Sequence, residues 1–444
     1  MSINHQELDP VKGSAVPSKV VIIGAGVFGL STALALASRH PETQIVVVDR
    51  LTPPVKDGTS VDTTRCIRSD YADPIYRRLA EVAQDMIFQD PELQPWTFKQ
   101  GMTYVCDGRP SRFTTTWTEE RDQARLRKGF AESTQRSDVF HRIHGIDAVL
   151  PSMEHSDWNM GFSNMTAAFI DAEEGIRVYY QRCLRNPSIS FRCGVPVKEI
   201  VTEKGEAKGI LLESGDQIDA DLVVVAAGAW SAKLVSLGQR VSPIGHEVVW
   251  FKVTPEEEAR WKNMSITTNL STGLNIFPPY RGEIKVLRRS PGFVNTITVP
   301  DPESPAEKMR ISYPRTIVDN PTDEIPWDAE VAIRKNLREI MPPLADRAFD
   351  RTKICWISTT PTADFLIAPH PRLRRLHMAT GGSAHAWKFL PIIGDWVADS
   401  IEGKLDPELV DKWSFDRLSN GKDRNAPRMD GKPQELNEVV RHRL

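Results

Sequence analysis

The clearest hydrophobic pattern in the chain is a run of β-branched residues that leads into closely spaced glycines. Residues 20–23 read Val-Val-Ile-Ile, which predicts a buried strand, and Gly24, Gly26 and Gly29 follow at G-x-G-x-x-G spacing. An apolar, helix-favouring segment then continues to Arg39. Such glycines allow a tight turn, close approach of a pyrophosphate and close helix–strand packing, and the helix N-terminus attracts phosphate.

A second apolar run, residues 44–48, predicts the next strand, and Asp49 ends it. A carboxylate at this position can accept hydrogen bonds from both ribose hydroxyls and disfavours a 2′-phosphate. The strand before the glycines, the helix after them and this acid together favour dinucleotide binding. The alternative is a glycine-rich strand–helix turn that holds no ligand.

Helical and strand patterns continue along the chain. Asp73 and Pro74 predict a helix start, and an apolar stripe of Ile75, Leu79, Val82 and Met86 follows at helical spacing. A further helix is predicted over 172–185. The same reasoning predicts short strands at 188–192, 197–203, 208–212 and 221–226, and a strand, glycine-rich turn and helix over 376–403.

Nucleotide-binding signals therefore occur in three separate places, near residues 20–50, 220–230 and 376–395. A cofactor contacted by both ends of the chain is longer and more deeply enclosed than the NAD of a typical dehydrogenase. This distribution favours FAD over NAD.

Composition narrows the possible partners and compartments. The 444 residues carry 56 basic and 59 acidic side chains, well mixed, so neither a nucleic-acid partner nor a metal site is expected. No apolar run approaches the roughly 20 residues that cross a bilayer, and no signal peptide is recognisable. Five cysteines without a C-x-x-C pair fit a reduced compartment. We expect a cytoplasmic or peroxisomal protein that is not secreted, because the C-terminal His-Arg-Leu weakly matches a peroxisomal signal.

Four further stretches carry candidate chemistry. Residues 62–71 read Asp-Thr-Thr-Arg-Cys-Ile-Arg-Ser-Asp-Tyr, and 281–285 read Arg-Gly-Glu-Ile-Lys. Residues 354–356 read Ile-Cys-Trp, and 381–389 read Gly-Gly-Ser-Ala-His-Ala-Trp-Lys-Phe. Taken alone, the first stretch favours a solvated basic turn and the second favours an exposed amphipathic strand. The commonest state of a cysteine such as that in the third is a buried free thiol.

Together with the glycine motif, these stretches resemble the FAD-dependent amine oxidase family of monomeric sarcosine oxidase, N-methyltryptophan oxidase and fungal fructosyl amino acid oxidases (amadoriases). The resemblance spans residues ~18–405. It implies an α/β fold in which a Rossmann-like (GR2-type) FAD-binding domain interleaves with an α+β substrate domain on a mixed or antiparallel sheet. The implied FAD-binding domain is 18–80, 162–240 and 352–405; the substrate domain is 81–161 and 241–351; a tail covers 406–444.

The resemblance also implies roles for individual residues. Arg65 and Lys388 would stabilise the reduced flavin, and Arg68 and Lys388 would hold a substrate carboxylate. Glu283 would meet a polar part of the substrate, and Lys285 would promote oxygen reduction. Arg428 weakly matches an arginine with which amadoriases bind the substrate carboxylate. Cys355 aligns with the cysteine that bonds covalently to the flavin 8α-methyl. The residues expected to contact the cofactor are Gly24, Gly26, Val27, Phe28, Gly29, Asp49, Arg50, Arg65, Val197, Ala227, Gly228, Trp230, Cys355, Gly382, His385 and Lys388.

The chain departs from the family pattern in the stretch 381–389. Ala384 and Ala386 replace glycines, so a positive φ at either position would be strained. Trp387 replaces a phenylalanine and predicts a bulkier wall beside the flavin. His385 could act as a base, although a packing or hydrogen-bonding role is the more common one.

The implied reaction is oxidation of the C–N bond of a secondary amine or N-substituted amino acid, of the sarcosine, fructosyl amino acid or saccharopine type. O2 is then reduced to hydrogen peroxide, and the protein is expected to be a monomer or weak dimer. One alternative is a tailoring flavoenzyme on the same fold that oxidises an alcohol or cyclises an amine. The altered turn at 381–389 and the basic pair Arg288 and Arg289, where amadoriases have acidic residues, motivate it. A third hypothesis is a non-catalytic nucleotide-binding protein.

Overall fold

A computed structural model describes residues 17–107, 109, 111–124, 130–132, 135–152, 158, 160–417 and 429–439. Two features named from the sequence, Arg428 and the C-terminal His-Arg-Leu, lie outside the described residues. Within them, no helix is both long enough and apolar enough to cross a membrane.

The described strands, numbered in chain order, are β1 (Lys19–Ile23), β2 (Gln44–Asp49), β3 (Arg65–Ile67), β4 (Thr97–Phe98), β5 (Met102–Cys106), β6 (Phe130–Glu132), β7 (Met160–Asn164), β8 (Ala168–Ile170), β9 (Ile189–Cys193), β10 (Val197–Glu203), β11 (Glu206–Leu212), β12 (Gln217–Asp219), β13 (Leu222–Val225), β14 (Ser242–Lys252), β15 (Ile266–Asn269), β16 (Leu274–Ile276), β17 (Glu283–Arg288), β18 (Phe293–Val294), β19 (Thr296–Asp301), β20 (Ser304–Ser312), β21 (Arg351–Thr359), β22 (Leu366–Pro369), β23 (Leu376–Thr380) and β24 (Gln434–Glu435).

The helices are α1 (Val27–Arg39), α2 (Pro74–Gln89), α3 (Arg112–Ala124), α4 (Arg136–His144), α5 (Ala172–Leu184), α6 (Ser231–Leu234), α7 (Pro255–Trp261), α8 (Trp327–Ile340), α9 (Pro342–Ala345), α10 (Ile393–Ile401) and α11 (Pro407–Lys412). Short 3₁₀ helices cover Gln94–Trp96, Gly228–Trp230 and Ala386–Phe389.

A six-stranded sheet in the order β22-β23-β13-β1-β2-β9 forms the nucleotide-binding half of the molecule. Neighbouring strands from β23 to β9 run parallel, and β22 pairs antiparallel with β23. β1, near the start of the chain, lies between β2 and β13, and β13 also pairs with β23, near the end of the chain. The sheet therefore joins strands from both ends of the chain. The α/β fold class and the predicted strand–helix–strand unit of β1, α1 and β2 are confirmed.

Two glycines let α1 follow β1 closely. Gly24 has φ +107, and a Cβ there would lie 2.4 Å from the carbonyl oxygen of Ala226. A Cβ on Gly29 would lie 1.8 Å from the carbonyl oxygen of Gly24. A side chain at Gly24 would collide with the backbone that follows β13, and one at Gly29 would push α1 off the glycine turn, so the close packing predicted for the motif is confirmed.

A larger, ten-stranded sheet has the order β24-β18-β14-β17-β16-β15-β5-β7-β6, with β21 added on β14. Alternation along β17 gives the sheet two different faces. Ile284 and Val286 pack into a hydrophobic cluster with Ile333 and Leu337 of α8. Lys285 points to the opposite face, where the candidate site lies.

The helix α2 begins as predicted, because Asp73 accepts hydrogen bonds from the backbone N–H groups of Ile75 and Tyr76. Its predicted apolar stripe is confirmed at Ile75 and Leu79, which pack partly buried against the core of the six-stranded sheet, and is wrong at Val82 and Met86. Val82 and Met86 are 50% and 41% exposed. The buried face lies one position further along the helix, at Tyr76, Ala80, Ala83, Gln84 and Ile87. Small alanines let this face approach its neighbours closely, and the Tyr76 hydroxyl accepts a hydrogen bond from Trp413 Nε1 at 2.9 Å.

Residues after 405 also pack onto the body of the protein. Leu409 of α11 and Trp413 belong to the hydrophobic core of the six-stranded sheet. The short strand β24 pairs with β18 of the ten-stranded sheet. The domain boundaries given from the sequence stay a prediction.

Candidate active site

A first cavity lies at the carboxyl ends of β1, β2 and β13 and encloses about 940 Å³ of empty space. Parallel sheets bind ligands at this edge. Eight of the residues predicted to contact the cofactor line this cavity: Gly24, Gly26, Asp49, Arg50, Val197, Ala227, Gly228 and Trp230. Val27, Phe28 and Gly29 follow in the first turn of α1.

Asp49 holds the glycine turn against the end of β2. Its carboxylate oxygens accept hydrogen bonds from the N–H groups of Ala25 at 2.8 Å and Leu51 at 3.0 Å. Burial raises the pKa of the Asp49 carboxyl, although these backbone hydrogen bonds oppose the shift. The sequence predicted a ribose contact here, and the structure adds a positioning role for the same side chain.

Ser60 completes the N-terminus of α1. The N-cap residue Gly26 has no side chain to offer, and the backbone N–H of Val27 donates instead to Ser60 Oγ at 3.0 Å. A Cβ on Gly26 would lie 2.6 Å from this oxygen. Sequence reasoning missed Ser60, because it reaches the helix from a distant loop that carries no motif.

A second cavity, with about 650 Å³ of empty space, lies between the ten-stranded sheet and the turn at 381–389. Its lining contains five cationic side chains and, among the described residues, no carboxylate. The lining residues are Arg65, Cys66, Arg68, Asn275, Phe277, Lys285, Leu287, Arg289, Ala384, His385, Trp387 and Lys388.

The loop 57–61 and the strand β3 link the two cavities. Residues 57–61 line the first cavity, and Arg65, Cys66 and Arg68 line the second. The indole Nε1 of Trp387, in the second cavity, donates to the carbonyl oxygen of Ser60, in the first, at 2.8 Å. The two cavities therefore adjoin along one segment of chain.

One face of the ten-stranded sheet forms a wall of the second cavity. Lys285 and Leu287 are two residues apart on β17 and share this face. Val248 on β14 lies opposite Leu287, and Lys353 on β21 lies opposite Val248. Residues in register on neighbouring strands share a face, so Cys355, two residues after Lys353, lies on it as well.

Cys355 is buried on that face, in a small cluster with Val248, Trp250 and Ile357, against which Leu287 packs. Leu287 lines the second cavity, whereas Cys355 is not among its lining residues. Cys66, which was not singled out from the sequence, is itself a lining residue. The structure therefore brings two thiols to this region.

Lys285 forms a fully buried ion pair. Its Nζ lies 2.9 Å from Asp62 Oδ2, donates to the carbonyl oxygen of Thr64 and lies 4.1 Å from the centre of the Phe277 ring. Burial lowers the pKa of Lys285 to about 8, although the Asp62 charge opposes the shift. Burial would raise the pKa of Asp62, but the charges of Lys285 and Arg65 outweigh it and lower that pKa to about 2.

Arg65 is held by a hydrogen bond and an ion pair with the loop that precedes β3. Its guanidinium donates to the carbonyl oxygen of Thr59 at 2.8 Å and lies 3.6 Å from Asp62. Its Nε and the Thr64 hydroxyl are buried without a hydrogen-bond partner among the described residues. Buried polar atoms are seldom left unpartnered, and of these two residues only Arg65 lines the second cavity, so its Nε fits a polar group bound there.

A hydrogen-bonded chain connects Lys388, Tyr71 and His385. Lys388 Nζ donates to the Tyr71 hydroxyl at 2.7 Å, and this hydroxyl lies 3.0 Å from His385 Nδ1. His385 Nε2 must carry a proton, because its partner at 2.7 Å is the carbonyl oxygen of Ala363. Burial, with the nearby Lys388 charge, lowers the pKa of His385 well below its usual value. The neutral ring therefore accepts from Tyr71 and has a hydrogen-bonding role.

The turn before Lys388 is strained in part. Ser383 has φ +44 and Ala384 has φ +65, a region that costs side-chain-bearing residues free energy. Strain was expected wherever a replaced glycine needs positive φ, and the structure places it at Ala384. Ala386 lies in a 3₁₀ helix and has no positive φ. Gly382 precedes the strained pair.

Arg68 is buried beside two aromatic rings. Its guanidinium carbon lies 4.5 Å from the centre of the Trp117 ring and 4.9 Å from that of Tyr71, and it donates to the carbonyl oxygen of Asp70. The guanidinium of Arg289 lies 5.6 Å from the same Trp117 ring. Trp117 thus positions two cations of the cavity wall.

Glu283 is not among the residues that line the second cavity. It shares a sheet face with Lys285, but its carboxylate accepts a hydrogen bond from Arg351 at 2.8 Å. The roles given to Glu283 and to the other site residues from the sequence stay predictions.

Comparison with known proteins identifies the family. The family described as FAD dependent oxidoreductase matches residues 19–400. The chain belongs to this family. FAD is therefore its cofactor, as predicted, and membership argues against a non-catalytic nucleotide-binding protein.

Similar proteins support the resemblance noted from the sequence. L-saccharopine oxidase of Schizosaccharomyces pombe is 29% identical over 412 residues, which cover 89% of this chain and 92% of that protein. Monomeric sarcosine oxidase of a Bacillus species is 24% identical and covers 88% and 94%. Fructosamine oxidase (amadoriase II) of Aspergillus fumigatus, solved in complex with FSA, superposes with TM-score 0.82 at 24% identity, covering 97% and 99%. At that identity the superposition shows the shared fold.

The ion pair between Asp62 and Lys285 predicts a pH-dependent loss of stability in Asp62→Asn. Without the carboxylate, the pKa of Lys285 in the folded variant falls below the wild-type value of about 8. At low pH the folded variant must therefore bury an unpaired ammonium or release its proton, and either costs free energy of folding. Above pH 8 the lysine of the folded wild type is itself largely neutral, so the difference in stability between the two proteins is smaller. We expect a loss of about 3 kcal/mol in the free energy of unfolding near pH 6 and a smaller loss near pH 9.

Urea titrations at both pH values measure this loss. Removing both charges, in Asp62→Asn with Lys285→Met, should restore most of the stability. The exposed Asp219→Asn serves as the control. An equal loss at both pH values would contradict a role for the Lys285 proton.

Proposed function

We propose that this FAD-dependent oxidoreductase oxidises the C–N bond of a secondary amine or N-substituted amino acid, with O2 as electron acceptor. The observation that carries the proposal is the second cavity, whose described lining has five cationic side chains and no carboxylate. Such a lining suits an anionic substrate and the anionic form of a reduced flavin. The names of the relatives, oxidases of saccharopine and sarcosine, agree with an amine that carries a carboxylate.

The residues of both cavities fit FAD. The first cavity would hold the nucleotide part, with its pyrophosphate at the N-terminus of α1, where Gly26 leaves room beside Ser60. The second cavity would hold the flavin ring near Arg65 and Lys388. When bound, FAD supplies a ring that accepts a hydride equivalent from the substrate and passes electrons to O2.

Arg68 and Lys388 would bind the substrate carboxylate. A guanidinium can grip both oxygens of a carboxylate, and the aromatic rings around Arg68 hold it in one orientation before the substrate arrives. Lys388 is held by the Tyr71 hydroxyl, which His385 orients in turn. The roles of Tyr71 and His385 are therefore to position the ammonium group.

Lys285 would promote the reduction of O2. Its ammonium lies in a buried setting, where a positive charge strongly stabilises negative charge that develops nearby. Glu283 could contact only a part of the substrate that extends past the cavity lining, and its carboxylate would have to leave Arg351 to do so.

A covalent link between FAD and Cys355 is part of the proposal. Its support is the position of Cys355 on the same sheet face as Lys285 and its burial next to Leu287 of the cavity lining. Cys66 is the competing thiol, because it lines the cavity itself.

A tailoring flavoenzyme that oxidises an alcohol or cyclises an amine remains the second candidate. Of the basic pair that motivated it, Arg288 lies 2.9 Å from the buried Glu247, and Arg289 lines the second cavity. Only Arg289 therefore bears on the substrate. Our proposals of a monomer or weak dimer in the cytoplasm or peroxisome rest on the sequence alone.

The decisive test is anaerobic reduction of the bound flavin by a substrate panel. We expect N-substituted amino acids to bleach the oxidised flavin band in stopped-flow, and the matched 2-hydroxy acids to leave it unchanged. Working without O2 identifies the reductant before any acceptor takes part. Bleaching by an alcohol and by none of the amines would favour the second candidate, and no bleaching by any of them would reject both.

Cys355→Ala tests the covalent link. Wild-type protein precipitated with acid should keep its yellow colour in the pellet, because a thioether survives denaturation. Cys355→Ala should release its flavin into the supernatant, and Cys66→Ala, the matched control, should behave like wild type. Release from Cys66→Ala alone would move the link to Cys66, and release from the wild type would exclude a covalent bond.

Lys285→Met should slow flavin reoxidation by O2 by roughly a hundredfold and slow reduction by substrate far less, so the two rate constants separate the loss of the ammonium from the disturbance of the ion pair. In the wild type the ammonium form is populated below its pKa, so the reoxidation rate constant should fall as the pH rises through about 8. Lys353→Met, a cation on the same sheet face outside the cavity lining, is the control. A wild-type reoxidation rate that does not vary with pH would count against the ammonium.

A further inference from the structure

Asn275 carries a buried amide oxygen that nothing in the described protein satisfies. The residue is 1% exposed, and its Nδ2 donates to the hydroxyl of Thr268. Its Oδ1 is buried and has no hydrogen-bond partner among the described residues. An orphaned acceptor of this kind costs free energy unless a ligand or an ordered water pairs with it.

The sheet places Asn275 beside the second cavity. Asn275 on β16 lies opposite Thr268 on β15 and Leu287 on β17, so the three side chains share one sheet face. The Nδ2 is turned sideways to Thr268, along the sheet. The Oδ1 is therefore the amide atom left without a partner, and both Asn275 and Leu287 line the cavity.

The charge around the cavity favours this orientation of the amide. Five of the lining side chains are cationic, and the negative end of the amide dipole is stabilised by positive charge. The opposite orientation would turn an NH2 group toward the same cations. The described lining is otherwise rich in donors, and both His385 nitrogens are already bonded, to Tyr71 and Ala363. Asn275 Oδ1 is thus placed to serve as the acceptor for a ligand N–H.

We propose that Asn275 Oδ1 accepts a hydrogen bond from the amine N–H of the substrate and so orients the nitrogen while Arg68 and Lys388 hold the carboxylate. This inference rests on the proposed function and adds a residue that discriminates between amines. A neutral secondary amine has an N–H to donate, whereas a neutral tertiary amine has none. Asn275 therefore selects N-substituted amino acids that keep one hydrogen on the nitrogen.

The test compares two planar acids that differ in one group. Pyrrole-2-carboxylate presents an N–H next to its carboxylate, and furan-2-carboxylate has an oxygen at that position. Isothermal titration of the FAD-loaded enzyme should show pyrrole-2-carboxylate binding about tenfold more tightly. In Asn275→Leu, which keeps the approximate shape and removes the acceptor, the two dissociation constants should become nearly equal.

Asn275→Asp is the matched variant, because it keeps an acceptor oxygen in place. It should retain the preference for pyrrole-2-carboxylate, even if its added charge weakens both acids. It also keeps the test decisive should Asn275→Leu fold poorly. Loss of the preference in Asn275→Asp, or its survival in Asn275→Leu, would overturn the inference.

Flavin reduction separates the inference from the proposed function. We expect the wild type to be reduced faster by an N-methyl amino acid than by its N,N-dimethyl analogue, and Asn275→Leu to lose most of this difference. Amine oxidation with no preference between the two acids would reject the role of Asn275 and leave the proposed function intact. Failure of both acids to bind, with no reduction by any amine, would reject both.

Discussion

The buried ion pair between Asp62 and Lys285 is the interaction on which the arrangement of the site depends. Asp62 belongs to the segment that runs between the two cavities, and Lys285 lies on a strand in the middle of the ten-stranded sheet. The ion pair therefore holds this segment against the sheet. One neighbour of Asp62 in the chain, Thr63, receives a hydrogen bond from Trp250 of the same sheet face. A charge is tolerated in such a buried place only with its partner, so neither residue can be replaced alone without cost. The ion pair thus fixes the position of the nearby Arg65, which lines the second cavity.

Hydroxyl, carbonyl and aromatic groups help to orient two further cations of the second cavity. Lys388 donates to a hydroxyl and a carbonyl oxygen, and Arg68 donates to a carbonyl oxygen and stacks between aromatic rings. These contacts orient a cation but leave its charge in place. The described lining, with five cationic side chains and no carboxylate, suits the anionic substrate and the anionic reduced ring that we propose.

The wall at Trp387 shows how a departure from the family pattern is accommodated. The indole packs against α5 where that helix has Gly175, and a Cβ there would lie 2.7 Å from the ring. Its Nε1 also reaches the loop of the first cavity through Ser60. The absence of a side chain at Gly175 thus provides the space that the indole ring occupies against α5.

Local patterns in the sequence were sufficient to predict the strand–helix–strand unit at the first cavity and the cap at Asp73, whereas the cationic residues of the second cavity were named only from the family resemblance. The unit and the cap depend on neighbouring residues, such as spacing along a helix or a capping side chain, so the information is present in a short window. The buried face of α2 was missed because hydrophobic size alone did not reveal that alanines and Tyr76 make the closest contact.

Only the tertiary structure decided which distant side chains meet. Ser60 at α1, Asp62 beside Lys285, the chain from Lys388 to His385, and Asn275 over the cavity all depend on strand register and loop paths. These relations join residues far apart in the chain, and no local periodicity encodes them. The sequence by itself therefore determined the cofactor class and the charged groups, whereas long-range packing decided their partners, their protonation and the direction in which each one points.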